Sequence, residues 1–267
     1  MRTSPANPPH PLERLAVRPR LMVGAGLLIA TVLCWTWIVP MARDMYGDMR
    51  GASAWMMRSG PWDVAHAAMM FAMWLAMMVG MMLPSAVPAA LVYLAAVRNG
   101  PTPHHAVART YAFAGGYLLA WALFSAIATA LQWAASSLGA LTPMMQASHA
   151  SITAVLMIAA GLYQWTPWKQ ACLTRCRSPM SWLPRHWKPG AWGALRMGGA
   201  YGLYCLGCCA LLMLLLFAGG VMSLACIGAI TILVLVEKLA PFGRASGRAA
   251  GLLLITGGCA LWLTHPA

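Results

Sequence analysis

The sequence has little charge, and very little of that charge is acidic. Charged residues make up 9% of the 267 residues and only 5 are Asp or Glu, whereas 61% are apolar. A soluble domain carries roughly 25% charged residues, so a soluble chain of this composition would struggle to cover its own surface. Lipid removes this difficulty because lipid-facing positions should be apolar. The shortage of charge therefore predicts an integral membrane protein surrounded by a lipid bilayer.

Several familiar motifs are also missing. The sequence contains no GxGxxG, P-loop, GxSxG or HExxH motif, and no Ser/His/Asp set or pair of carboxylates is visible. The lack of such a set weighs against hydrolase chemistry and favours a non-enzymatic role. The formal charge of +13 could suggest nucleic-acid binding. However, the basic residues fall in short loops between apolar runs, so we predict no nucleic-acid partner.

Apolar runs of about 20 residues, the length that crosses a bilayer, occur seven times along the chain. They cover residues 21–39, 66–97, 110–136, 148–166, 198–218, 222–239 and 248–264. The runs predict an all-α, polytopic membrane bundle of about seven transmembrane helices. The second run contains Pro84 and Pro88, which predict a kink or a break. Gly219 and Gly220 separate the fifth and sixth runs and favour a tight hairpin over one long helix.

The positions of the basic residues predict the orientation of these helices. Of the 18 Lys and Arg residues, all but Arg43, Arg50 and Arg58 lie in the N-terminal segment or in alternate loops after it. The positive-inside rule then places the N-terminus in the cytoplasm and the C-terminus outside, in a bacterial inner membrane. Residues 1–20 are predicted to be a disordered, basic cytoplasmic tail, and residues 21–267 to form one transmembrane domain.

A methionine-rich stretch dominates the second run. Half of the fourteen residues from Met69 to Met82 are methionine. At about 100° per residue, one helix face gathers a histidine and five of these methionines, while Met78 and Met82 point elsewhere. That face consists of His66, Met69, Met70, Met73, Met77 and Met81.

Thioether sulfur is a soft ligand that suits Cu(I), and imidazole suits copper and zinc. We therefore take His66, Met70, Met73 and Met77 as candidate metal ligands. The alternative is that these flexible apolar side chains only fill the core. The preceding outer loop is also rich in Met and Asp, which favours an interfacial amphipathic helix over a copper-capturing one. That loop contains Met41, Asp44, Met45, Asp48, Met49, Met56 and Met57.

Five of the eight cysteines form two groups at helical spacing. Cys172 and Cys176 are four residues apart, and Cys205, Cys208 and Cys209 follow an i, i+3, i+4 pattern, so each group shares a helix face. None of the eight lies in a predicted outer loop, which argues against a disulfide framework. Basic neighbours are expected to favour thiolates in the first group. These neighbours are Lys169, Arg175 and Arg177.

The two cysteine groups could supply two to four thiolates, which suits Cu(I) or zinc. The first group is expected at the cytoplasmic surface and the second well inside the membrane, so they could form one site or two separate stations. Inert buried thiols and a redox pair are the alternatives. Nearby glycines should let another helix approach closely. These glycines are Gly198, Gly202 and Gly207.

Few other polar residues fall within the predicted spans. Glu237 lies next to Lys238, and we expect a local ion pair between them. His149 opens the fourth span on the outer side, where it could join His66, although a lone interfacial histidine is more often structural.

Four segments of the chain resemble the DUF2182 family. They read WDVAHAAMMFAMWLAMMVGMMLPSAVP, GLYQWTPWKQACLTRCRSP, GLYCLGCCALLMLLLFAGGVMSL and VEKLAP, and the resemblance covers about residues 60–260. Members of that family are described as metal-binding integral membrane proteins, and some as copper chaperones. The resemblance implies that His66, the methionine stretch and the five clustered cysteines occupy the family's motif positions. Ala210 stands where the family often has an aromatic residue.

These observations give a leading hypothesis and two alternatives. The leading one is an inner-membrane protein that handles Cu(I), or less favourably zinc, as a chaperone or transporter, and serves a periplasmic or membrane metalloprotein partner. The first alternative is a membrane oxidoreductase that uses the thiols or a bound metal. The second is a structural or assembly subunit of a membrane complex.

Overall fold

The computed structural model describes residues 11–47, 62–100, 103–142 and 145–264, with side chains described from residue 19 onward. Within these ranges the chain is helical and forms no strand beyond one bridge between Leu141 and Ala147. The helices are α1 (Pro11–Met45), α2 (Val64–Arg98), α3 (Ala106–Ser137), α4 (Ala150–Gln164), α5 (Pro167–Arg177), α6 (Pro179–Arg185), α7 (Gly190–Leu214), α8 (Leu216–Gly219), α9 (Leu224–Leu239) and α10 (Gly243–Thr264). The all-α prediction is confirmed.

Five helical segments in the described ranges are long and apolar enough to cross a membrane. They are Pro19–Met45, Val64–Arg98, Pro103–Ser137, Gly190–Gly219 and Gly243–Thr264. Helix α4 has 15 residues and α9 has 16, fewer than the roughly 20 that span a bilayer. The protein is therefore a polytopic helical membrane bundle, as predicted, and a count of seven crossings depends on these two short helices.

The N-terminal tail and the first outer loop fall largely outside the described residues. Helix α1 already begins at Pro11, within the tail predicted over residues 1–20, and residues 1–10 are not described. In the loop, Met41 and Met45 belong to the last turns of α1 and are buried. The loop residues Asp48, Met49, Met56 and Met57 lie outside the described residues. The tail and the N-in orientation stay predictions.

Helix α2 is continuous through both prolines, so the predicted break does not occur. Pro84 has no N–H to donate to the carbonyl of Gly80 four residues earlier. The indole Nε1 of Trp35 in α1 donates to that carbonyl instead, at 3.2 Å. In a membrane, a backbone acceptor freed by proline must find a partner on a neighbouring helix. Trp35 supplies that partner and lets the helix run on.

The predicted hairpin between the fifth and sixth spans is present. Helix α7 ends at Leu214, the short α8 follows, and Gly220 reverses the chain with a φ of +92° before Ser223 caps α9. Only glycine adopts that backbone conformation without strain.

Glycines let α7 approach α3 very closely. A Cβ added to Gly198 would overlap the carbonyl of Phe113, and one added to Gly202 would lie 3.0 Å from the carbonyl of Tyr117. The close approach expected at Gly198 and Gly202 is confirmed, as is typical of small-residue interfaces in membranes. Helices α4 and α10 meet in the same way, where a Cβ on Gly161 would lie 2.7 Å from the carbonyl of Gly251.

The chain between α4 and α7 folds back against α7. Thr166 ends the α4 segment and caps α5, where its hydroxyl accepts from the backbone N–H of Lys169 at 3.3 Å. Pro167 occupies the first turn of α5, where its missing N–H costs nothing. The hydroxyl of Tyr201 in α7 donates to the carbonyl of Cys176 at the other end of α5, at 2.7 Å. Helix α5 is therefore fixed along α7 and does not extend away from the bundle.

Candidate metal centre

Three cysteines of α7 form a compact group of sulfur atoms in the middle of the protein. Cys205, Cys208 and Cys209 are each 1% exposed or less, and their Sγ atoms all lie within 4.8 Å of one another. The Sγ atoms of Cys208 and Cys209 are 3.1 Å apart, and Cys208 also donates to the carbonyl of Cys205 at 3.1 Å. The helical spacing of the motif produces this grouping. The three thiols could hold a metal ion.

A fourth thiol reaches the same place from α5. Cys176 is buried, and its thiol lies within hydrogen-bonding reach of the thiols of Cys205 and Cys208. We expected the first cysteine group at the surface and the second well inside the membrane. For Cys176 this expectation is wrong, because α5 folds back along α7. The sulfur cluster defined by Cys176, Cys205, Cys208 and Cys209 draws on two helices.

Cys172 lies at the edge of the sulfur cluster, packed against α7. A Cβ at Gly207 would lie 2.7 Å from the Cys172 Sγ atom, so the missing side chain of Gly207 makes room for this thiol. The hydroxyl of Tyr163 donates to the Gly207 carbonyl and covers the same spot. The close approach expected at Gly207 is thus confirmed.

The basic neighbours do not turn the α5 cysteines into thiolates, contrary to expectation. Burial raises the pKa of Cys172 above its ordinary value of 9.0, and the opposing charge of Arg175 does not cancel this effect. The pKa of Cys176 is raised well above 9.0 because its thiol hydrogen bonds to Cys205, and burial adds to the shift. Lys169 and Arg177 are engaged elsewhere, with Glu237 and with the end of α9.

A buried lysine that the sequence did not assign to this site touches the sulfur cluster. The Nζ atom of Lys238 in α9 donates to the Cys205 Sγ atom at 2.8 Å and to the Ser85 Oγ atom at 3.1 Å. The hydroxyl of Tyr117 lies 3.1 Å from the same sulfur. Cys205 is therefore the thiol of the cluster that lies next to a positive charge.

The ion pair expected between Glu237 and Lys238 is wrong. Glu237 accepts instead from Lys169 of α5, at 2.7 and 2.9 Å, and both side chains are buried. Adjacent residues on a helix point about 100° apart, so Glu237 faces α5 while Lys238 faces α2 and α7. For these partners of Glu237 and Lys238 the sequence carried one signal, the general rule that ionisable residues within a membrane need partners.

His66 and the predicted methionine face are buried in α2. His66 is 3% exposed, and its ring lies 4.8 Å from the ring of Trp62 at an angle of 42°, whereas His149 is exposed at the start of α4. Met70 accepts a hydrogen bond from Gln132 at 3.6 Å, and Gln132 in turn accepts from Trp74 at 2.7 Å.

Burial does not distinguish the predicted methionine face from the other methionines of α2. Met70, Met73, Met77 and Met81 are fully buried, but so are Met78 and Met82, while Met69 is only partly buried. The role of His66, Met70, Met73 and Met77 as ligands stays a prediction.

The methionine stretch ends next to the sulfur cluster. The Tyr117 hydroxyl that lies 3.1 Å from the Cys205 sulfur also donates to the backbone carbonyl of Met82, at 3.1 Å. One hydroxyl group therefore joins the C-terminal end of the stretch to the cysteines. His66 lies 16 residues earlier, or about 24 Å along the helix at 1.5 Å per residue.

Comparison with families of known proteins gives a match over most of the chain. A family model named PpoB2 and described as a copper chaperone matches residues 71–261. The matched region includes Met73, Met77, the five clustered cysteines and Lys238, and it begins after His66 and Met70. No curated protein and no solved structure matches the chain.

Proposed function

Since this chain belongs to the PpoB2 copper chaperone family, we propose that it is a bacterial inner-membrane protein that binds and hands on Cu(I). The single observation that carries the proposal is the sulfur cluster, in which four thiols from α5 and α7 converge inside an apolar bundle. Cu(I) is the cargo and not a permanent part of the protein. The role is that of a chaperone or a transporter.

The ligand chemistry favours Cu(I). Cys205, Cys208 and Cys209 would hold the ion, with Cys176 as the fourth thiol and Cys172 at the edge. Thiolates select soft ions such as Cu(I), and zinc is the alternative that four cysteines also suit. A buried site also keeps a bound Cu(I) away from water. A soft, monovalent ion is the best match to ligands of this kind in an apolar surrounding.

The methionine-rich helix supplies a route to the cluster. We propose that an ion enters beside His66, is passed along Met70, Met73 and Met77, and reaches the cysteines near Met82. The support is the Tyr117 hydroxyl, which contacts both the Met82 carbonyl and the Cys205 sulfur. With the N-terminus inside, thioethers lie towards the outer face and thiols towards the inner face. A periplasmic or membrane metalloprotein is the partner that this arrangement serves.

Copper binding by the purified protein tests the proposal. Protein prepared anaerobically with a reductant and supplied with Cu(I) is expected to retain about one ion per chain through desalting. The double variant Cys205→Ser/Cys208→Ser should lose it. Cys226→Ser/Cys259→Ser is the matched control, since both cysteines lie outside the cluster and should be dispensable. Wild-type protein that retains no Cu(I), or a cluster variant that retains it fully, would contradict the proposal.

A thiol oxidoreductase is the second candidate, favoured by the 3.1 Å separation of the Cys208 and Cys209 sulfur atoms. Mild oxidation followed by thiol trapping separates the two functions. A disulfide that forms and is reduced reversibly, between Cys208 and Cys209 or between Cys176 and a cysteine of α7, would favour redox chemistry. Thiols that stay reduced while Cu(I) binds would favour metal handling.

A further inference from the structure

Lys238 places a positive charge directly against the sulfur cluster. Its side chain is 7% exposed, and its Nζ atom donates to the Cys205 Sγ atom at 2.8 Å. The carboxylate next to it in sequence, that of Glu237, is engaged by Lys169 instead. A buried charge must be balanced nearby, and the thiols of the cluster are the groups that Lys238 faces.

The ammonium group is held in place from a second side. Ser85 of α2 accepts from the Lys238 Nζ atom at 3.1 Å, while the Ser85 hydroxyl itself donates to the Met82 carbonyl at 2.8 Å. The hydroxyl proton of Ser85 is thus turned away, and its lone pair faces the lysine. On the other flank, the Tyr117 hydroxyl lies 3.1 Å from the Cys205 sulfur. The Lys238 ammonium group is therefore fixed next to the sulfur cluster.

We propose that Lys238 is a specificity-determining residue of the metal centre, and that its charge favours monovalent Cu(I) over divalent zinc. The proposal rests on the proposed function of the sulfur cluster. The thiolates attract both ions, and the ammonium repels both. The repulsion grows in proportion to the charge of the ion. The repulsive energy is therefore about twice as large for zinc, with its charge of +2, as for Cu(I), with its charge of +1. Four cysteines alone would lack this discrimination, since they also make good zinc sites.

The distances make this effect large enough to matter. Metal–thiolate bonds are about 2.3 Å long, so an ion bound to Cys205 lies no more than about 5 Å from the Lys238 Nζ atom. With an effective dielectric constant of about 20, one additional unit of charge at that distance changes affinity on the order of a hundredfold. If the lysine side chain moves away from the bound ion, this change in affinity falls towards tenfold.

Three variants of the full-length protein test the inference. Lys238→Met removes the charge and keeps the apolar stem, whereas Lys238→Arg keeps the charge. The double variant Lys169→Met/Glu237→Gln is the matched control, because it removes a buried ion pair of no net charge that joins α5 to α9, and the hydrogen bonds of the Lys169 ammonium go to Gln164 and Glu237 and not to the sulfur cluster. Cu(I) and zinc affinities are measured under reducing, anaerobic conditions at one pH, by competition with a chromophoric chelator for each ion.

Lys238→Met is expected to gain 10- to 100-fold more affinity for zinc than for Cu(I). Lys238→Arg and the ion-pair control should keep the wild-type ratio. A ratio unchanged in Lys238→Met, or changed equally in the ion-pair control, would overturn the inference. Folding is checked by size-exclusion elution and tryptophan fluorescence, and Lys238→Gln replaces Lys238→Met if that variant does not fold.

Failure of the proposed function gives a different result. Wild-type protein that binds no Cu(I) would overturn the proposed function itself. The effect of the charge would then be measured with zinc alone, and a zinc affinity that is the same in wild type and Lys238→Met would overturn the inference.

Discussion

Cys172 and Cys176 lie one helical turn apart, yet their surroundings differ. Cys176 is buried and its thiol reaches the thiols of Cys205 and Cys208, whereas Cys172 is half-buried against Gly207. Burial disfavours a thiolate unless a charge or hydrogen bond compensates. For Cys172, Arg175 supplies too little compensation, since its guanidinium also packs 4.5 Å from the centre of the Tyr204 ring.

The reactivity of Cys172 should therefore depend steeply on pH. Its pKa is raised above 9.0 by burial, so the thiol form predominates at neutral pH and the thiolate appears only in alkaline solution. We expect the rate of maleimide labelling at Cys172 to be low at pH 7 and to rise about tenfold per pH unit up to pH 9. Site-resolved mass spectrometry measures the rate. A Cys172 rate that levels off below pH 8 would show that the basic residues do hold a thiolate.

Helix α2 illustrates how an element depends on its neighbours. It carries two prolines, yet it runs unbroken over 35 residues. The reason is a contact from α1, since Trp35 donates to the Gly80 carbonyl that Pro84 leaves without a partner. Continuity of this helix matters for function, because it carries both the methionine stretch and Ser85, which holds Lys238.

Removing the indole donor should destabilise the bundle in a proline-dependent way. Trp35→Phe leaves the Gly80 carbonyl unsatisfied, which costs about 1–3 kcal/mol. In a Pro84→Ala background the backbone N–H of residue 84 returns, so the same Trp35→Phe change should cost much less. Thermal unfolding in detergent measures the four members of this double-mutant cycle. Trp37→Phe, a change of an exposed tryptophan in the same helix, is the control. Equal costs of Trp35→Phe in both backgrounds would contradict this explanation.

At the scale of the whole molecule, two groups of candidate soft ligands are joined through the core. The methionine stretch of α2 begins at a buried histidine and ends at the Tyr117 hydroxyl, which also contacts Cys205. The close approach of α3 and α7 at Gly198 and Gly202 places Tyr117 there. Uptake and storage of an ion would then use different parts of one protein.

Substitution of the methionines should separate these two steps. Met70→Leu/Met73→Leu/Met77→Leu keeps the volume of the core but removes the thioethers. In sealed vesicles with Cu(I) outside, we expect loading of the cysteines to slow at least tenfold. The detergent-solubilised variant should still bind about one Cu(I). Met213→Leu/Met222→Leu is the control, as both residues are fully buried outside the stretch. Unchanged loading in the triple variant would show that these methionines only pack.

Much of the fold could be predicted because its signals are local in sequence. Apolar runs predict helices, Gly220 predicts the turn before α9, and Gly198 and Gly202 predict a close helix contact, as found. The lengths of α4 and α9 were overpredicted. The predicted runs included residues that flank the two helices, such as Trp165 after α4 and Ser223 before α9, because hydropathy averaged over about 20 residues does not locate helix caps.

The sequence by itself determined that this is a helical membrane protein, and which residues could bind a soft metal. Composition and helical periodicity carry that information, since both are properties of short stretches of chain. Only the tertiary structure decided that Cys176 joins the cysteines of α7, that Glu237 pairs with Lys169, and that Lys238 faces Cys205. Those partners lie 29 to 68 residues apart in sequence and on different helices, and their contact depends on how α5, α7 and α9 pack. In a low-dielectric interior each buried charge or thiol must find a partner, and packing geometry decides which one it finds.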